Sequence, residues 1–127
     1  MSAFASTASS PHAYRASAVL TASHGQLIVM LYDGARRFLR QARVAMSERQ
    51  IALAHTRLSR AEDILRHLRA TLDMDQGQLP ERLLAIYTFS LNELRLARIE
   101  QDPTRIDRVS ELLGRLRDAW AAVAGEA

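Results

Sequence analysis

From Ile51 to Leu72, apolar residues recur at alternating steps of three and four: Ile51, Ala54, Leu58, Ala61, Leu65, Leu68 and Leu72. An α-helix repeats every 3.6 residues, so this spacing gathers them into one stripe. A β-strand alternates every second residue and cannot collect the same set on one side. Arg57, Arg60, Glu62, Asp63, Arg66 and Arg69 fill the other positions and read as the solvated face. Glu62 and Arg66 are spaced as an i,i+4 ion pair, which adds a few tenths of a kcal/mol to a helix. A stripe this long must be buried, so it demands neighbouring helices with stripes of their own.

Three further segments supply them. Asp102-Pro103 is a cap followed by a proline in the first helical position, a strong start signal. From there Ile106, Val109, Leu113, Leu116, Trp120 and Val123 keep the three-four rhythm, and Gly125 falls past the helix end. A first helix is predicted from about His24 to about Met46. Ser23 and Gln26 have the spacing of a capping box, in which serine and glutamine satisfy each other's backbone N–H groups. Leu27, Met30 or Leu31, Gly34, Phe38, Ala42 and Ala45 predict its core face, widened by Ile28, Ala35 and Leu39. Gly34 costs about 1 kcal/mol against alanine in a helix and so points to a close helix approach. Arg36, Arg37, Arg40 and Arg43 crowd the later half and read as a solvated face.

Ser47 with Gln50 repeats the capping-box spacing and predicts the opening of the second helix. Residues 73–78 read as a loop, with Gly77 free to take a positive φ and Pro80 suited to the first turn of a third helix over about 80–100. That helix carries two stripes. Leu83, Ile86, Tyr87, Leu94 and Ala97 fall on one side, while Ala85, Phe89, Leu96 and Ile99 cluster on roughly the opposite one. A simple surface helix has no need of the second.

With 127 residues, five glycines and three prolines, the chain is long enough for one conventional core and poor in helix breakers. The predicted fold is all-α: an antiparallel four-helix bundle over residues 21–124, preceded by a flexible N-terminal arm over residues 1–20. The arm is rich in serine and small residues, too apolar-poor to offset the entropy of ordering, with Tyr14 and Val19 its first possible anchors.

Chemistry is scarce. Cysteine is absent, which removes disulfides, thiolate metal sites and cysteine nucleophiles together. His55 and His67 share the second helix but not at i,i+3 or i,i+4, so they cannot ligate one metal from one face. No E-x-x-H ligand pair, Gly-rich phosphate loop or G-x-S-x-G elbow occurs. The reading is therefore not an enzyme, with no cofactor and no metal. The net charge of +3 comes from 17 arginines against 14 interspersed acidic residues, which does not call for nucleic acid. No apolar run approaches the ~20 residues of a membrane span, and the start does not read as a signal peptide. Two other readings stay open: a histidine phosphotransfer bundle using His55 or His67, and a self-associating structural bundle.

What remains is an apolar surplus on the first and third helices. It must be covered by the arm, by a second copy as a homodimer of the free chain, or by a different partner laid into a groove.

The run Tyr14 … Val19-Leu20-Thr21-Ala22-Ser23 … Leu27-Ile28-Val29-Met30-Leu31-Tyr32-Asp33-Gly34 resembles the N-terminal motif of the flagellar secretion chaperone FliS family. Gly77 … Leu83-Leu84-Ala85-Ile86-Tyr87 and Asp118-Ala119-Trp120 fall where that family has similar runs. The chain departs from the family pattern at His24, where a proline is common, and at Ile86-Tyr87-Thr88-Phe89-Ser90, where the aromatic run is usually richer in tyrosine. The resemblance implies a four-helix bundle and a cytoplasmic export chaperone. Its implied partners are the disordered C-terminal segment of flagellin, which it would keep from premature polymerisation, and a flagellar export gate component of the type III apparatus. Carried over as motif residues for partner binding are Tyr14, Val19, Ile28, Met30, Leu31 and Tyr32, of which Leu31 also lies on the predicted core face. Phe89, Leu96 and Ile99 join them from the helical angles alone.

Overall fold

The computed structural model describes residues 24–125, and these form four α-helices: α1 (His24–Ser47), α2 (Ile51–Ala70), α3 (Gln78–Glu100) and α4 (Pro103–Ala124). The arm over residues 1–20, Tyr14 and Val19 within it, and the Ser23 cap lie outside the described residues.

The helix ends follow from local chemistry. Asp102 accepts the Thr104 N–H at 3.0 Å with Pro103 in the first helical position, and Gly125 closes α4 in the left-handed conformation at φ +79°. Gly77 precedes α3 at φ +87°, ψ −148°, a region open essentially to glycine alone. α3 begins at Gln78 and takes Pro80 into its first turn.

The predicted capping box at Ser47 does not form. Ser47 ends α1, and its hydroxyl lies 3.5 Å from Arg43. Arg49 turns left-handed at φ +61°, and the Gln50 N–H bonds back to the Ala45 carbonyl at 2.8 Å. This is the six-to-one bond that closes a helix C-terminus, so the segment is used to end α1 and not to open α2. Gln50 makes no side-chain cap bond. α3 ends the same way, with Gln101 left-handed and Asp102 N–H on the Ala97 carbonyl at 3.1 Å.

Each helix packs against its neighbours in sequence, and α1 against α4 closes the ring. Arg43 near the end of α1 pairs with Asp107 near the start of α4, and His55 near the start of α2 with Gln101 just past the end of α3, which makes these neighbours antiparallel. α1 approaches α2 and α4 most closely. Small residues permit this: Gly34, Ala35, Ala42 and Ala45 on α1, Ala54 and Ala61 on α2, and Gly114 on α4 are all buried. A Cβ built at Gly34 would stand 3.5 Å from Ile64, an ordinary contact.

The core line of α1 differs from the predicted one. Tyr32, Ala35, Leu39, Ala42 and Met46 point inward, with Val29 also buried, whereas Leu31 and Phe38 are partly buried at the flank. Five large apolar residues in a row carry no periodicity, so they left the angle of the face open. On α2, Ala54, Leu58, Ala61, Leu65 and Leu68 form the predicted seam, but Ile51 is half exposed and Leu72 packs from beyond the helix end. On α4, Ile106, Val109 and Leu113 are buried and Leu116 and Trp120 flank them, while Val123 faces outward and Ala121 turns in.

Glu62 is the clearest correction. It is buried and does not pair with Arg66; Arg98 of α3 grips both its oxygens at 2.7 and 3.0 Å. Arg66 stands 3.5 Å from Asp63 instead. Helical angles place position 62 at the border of the α2 stripe, where α3 covers it, and a buried carboxylate requires a charged partner.

Candidate partner-binding surfaces

Where α1 begins and α4 ends, the bundle leaves a cleft of about 230 Å³. α1 contributes His24 and Ile28, α2 Leu68, the connection Leu72, α3 Leu79, Leu83 and Tyr87, and α4 Trp120. The 73–78 connection forms one edge, because α2 stops at Ala70 and Gly77 redirects the chain. The lining is mainly apolar, with His24, Asp73 and Gln76 toward the rim.

Behind the cleft sits a polar aromatic cluster. The Tyr32 and Tyr87 hydroxyls are hydrogen-bonded at 2.5 Å, with ring centres 6.5 Å apart, and Trp120 lines the cleft in front of them. Burial pushes the Tyr32 phenol upward, and the neighbouring Tyr87 hydroxyl and Trp120 indole pull it back in part. Burial also raises Tyr87, and the Tyr32 hydroxyl pushes in the same direction. Both phenols therefore stay neutral, as an apolar surrounding requires.

A second feature lies along the outside of α3. Phe89 is 45% exposed and Ile99 66%, with Leu84 exposed and Leu96 partly so. Phe89 borders a hollow of about 260 Å³ on the α3–α4 seam, shared with Leu112 and flanked by Arg108 and Arg115. Inside that seam Glu93 is nearly buried and is held by Arg105 at 2.9 Å and Arg108 at 3.2 Å.

The proposed site residues do not converge on one place. Ile28 lines the cleft; Leu31 packs against the core beside it; Met30 is partly buried. Tyr32 is wholly buried and supports the cleft from behind. Phe89 lies at the α3–α4 hollow, while Leu96 and Ile99 lie further along α3. The cleft residues Leu72 and Leu79 were not read as site residues, although Leu79 beside Gly77 and Pro80 is an apolar residue at a loop end, which is a usable signal. His55 lies 3.3 Å from the Gln101 amide and His67 is exposed, so the two imidazoles do not share a site.

A ring of four antiparallel helices with a closed interior and apolar hollows on its outside defines a four-helix bundle that leaves apolar surface beyond its core. Residues 7–127 match the family described as flagellar protein FliS, and the chain belongs to that family. It is 33% identical over 113 residues to the flagellar secretion chaperone FliS of Salmonella typhimurium strain LT2, spanning 87% of this chain and 84% of that one. It is 31% identical over 108 residues to the protein of the same name from Bacillus subtilis strain 168, covering 85% and 80% of the two chains. Flagellar secretion chaperone FliSB of Pseudomonas aeruginosa is 31% identical over 106 residues, with 83% and 84% covered.

Proposed function

We propose that this chain is a cytoplasmic export chaperone that binds the disordered C-terminal segment of flagellin. It keeps that segment from premature polymerisation and helps bring it to a gate component of the flagellar type III export apparatus. The observation that carries the reading is apolar surface left outside a bundle whose core is already closed: Leu84, Phe89 and Ile99 are exposed on α3 while Leu58, Leu65, Leu94 and Leu113 are fully buried. A subunit that assembles by burying apolar helix faces needs another place to bury them while it waits. The α3 stripe of Phe89, Leu96 and Ile99 and the cleft beside Ile28, with Met30 and Leu31 next to it, offer such places. A segment that orders only on binding gives up part of its interaction energy to that ordering, so release needs a competing surface and no chemistry.

The test is a pull-down of flagellin with a Phe89→Asp/Leu96→Asp variant whose helix content matches the parent. The expected result is a loss of capture of about tenfold or more, since two charges would replace buried apolar contacts. Undiminished capture would remove the α3 stripe from the account.

A further inference from the structure

Three of the four seams between neighbouring helices set carboxylate against arginine. Between α1 and α4, Arg117 meets Asp33 at 3.0 Å and Arg43 meets Asp107 at 2.7 Å. Between α2 and α3, Arg98 grips Glu62. Between α3 and α4, Arg105 and Arg108 both reach Glu93. The α1–α2 seam has no such pair among the described residues, although arginines stand on both sides of it.

Arg37 and Arg60 stand 5.7 and 5.5 Å from the centre of the Phe38 ring, one from each helix. About one turn along, Arg40 and Arg57 flank a hollow of about 480 Å³ that exposes Val44 and Leu53. Glu48, at its far end, is the only carboxylate among the lining residues. Positions 37 and 40, and 57 and 60, are i,i+3 pairs of like charge, an arrangement that weakens an isolated helix. The strip from Arg37 to the end of α1 at Ser47 runs about 15 Å, roughly three helical turns, with Glu48 just beyond it.

Cations flanking an apolar strip between two antiparallel helices fit a third helix of opposite charge. A phosphate backbone would use the cations and leave Phe38, Val44 and Leu53 unserved. We propose that the α1–α2 seam docks an acidic amphipathic helix of a partner protein. Its apolar side chains at i, i+3 or i+4, and i+7 cover Val44, Leu53 and the Phe38 edge, and its flanking carboxylates meet the four arginines. Phe89 and its hollow lie on the α3–α4 seam, across the bundle, so both surfaces can be occupied together.

The probe is a fluorescein-labelled peptide of about 18 residues, long enough to hold a helix, with leucines on one stripe and glutamates on both flanks. A scrambled peptide of the same composition is its control. Fluorescence anisotropy with the full chain at about 50 mM salt reads the binding. The patterned peptide is expected to bind about fivefold or more tightly than the scrambled one. Arg40→Glu/Arg57→Glu and, separately, Val44→Asp are expected to weaken it about tenfold, with Arg95→Glu on exposed α3 leaving it unchanged. Circular dichroism confirms that each variant keeps the parent's helix content. Equal binding of the two peptides, undiminished binding by either seam variant, or stronger capture of duplex DNA or phosphatidylserine vesicles than of the patterned peptide would overturn the proposal. Arg40→Glu/Arg57→Glu should still bind the flagellin C-terminal segment. Failure of the parent chain to bind that segment sinks the chaperone reading alone, and loss of peptide discrimination sinks the seam alone.

Discussion

The hydroxyls of Tyr32 and Tyr87 meet at 2.5 Å, tying α1 to the helix diagonally across the bundle. Burial is the main reason both phenols rise above their ordinary value of 10.0. A phenol held protonated in the fold but free to ionise when unfolded contributes stability fully present below pH 10, which is lost as pH rises toward the folded value. The chain has neither lysine nor cysteine, and arginine titrates above about 12, so few other side chains change charge in this window. Urea midpoints should therefore hold steady from about pH 8 to 9.5 and fall above about 10. Tyr32→Phe/Tyr87→Phe should flatten that alkaline limb. An unchanged limb in the double variant would place its origin elsewhere.

The ion pairs should separate by burial. Glu62 is 5% exposed and Arg98 25%, so Arg98→Ala strands a buried carboxylate and should cost about 2–3 kcal/mol. Arg43→Ala breaks a pair about half exposed on both sides and should cost under about 1 kcal/mol. Replacing Glu62 and Arg98 together by leucine should recover most of the loss, because the buried charge goes too. Chemical denaturation of the three variants checks the order.

Ser90 is fully buried on α3, and its hydroxyl has no hydrogen-bond partner among the described residues. An unmet buried hydroxyl is costly, and alanine is the better helix former. Ser90→Ala should raise stability by about 1 kcal/mol, or roughly 3–6 °C in Tm by calorimetry. A drop would mean that the hydroxyl has a partner after all.

Two helical glycines should respond differently to alanine. At Gly34 a Cβ meets Ile64 at 3.5 Å and the Arg37 guanidinium at 3.9 Å, both ordinary contacts, so Gly34→Ala should stabilise by up to about 1 kcal/mol. At Gly114 it would stand 2.9 Å from the Arg36 guanidinium, which would have to move from the Ser110 carbonyl it bonds at 3.0 Å. Gly114→Ala should gain little or nothing in the same thermal scan.

The helices were legible because the patterns at Ala54–Leu68 and Ile106–Leu113 are periodic, and because Asp102-Pro103 and Gly125 carry unambiguous end chemistry. The α1 face was not, since Leu27 to Leu31 are apolar at every position and only small residues elsewhere decide which angle packs. Ser47 was misread because a left-handed Arg49 can end a helix without glycine, a choice that propensity does not reveal. The outward set of α3 was readable from helical angles, and Phe89 and Ile99 are indeed exposed. The end cleft was not readable, because it is made by residues from four helices and one connection meeting at a helix end.

The central claim is that the outer apolar surface takes the C-terminal segment of flagellin. Isothermal titration of that segment into the full chain at two temperatures, with circular dichroism of the mixture, tests it most directly. The account predicts saturable binding with a negative heat-capacity change and more helix in the mixture than in the separate components. Absence of saturable binding, or binding with neither a heat-capacity change nor a gain in helix, would contradict it.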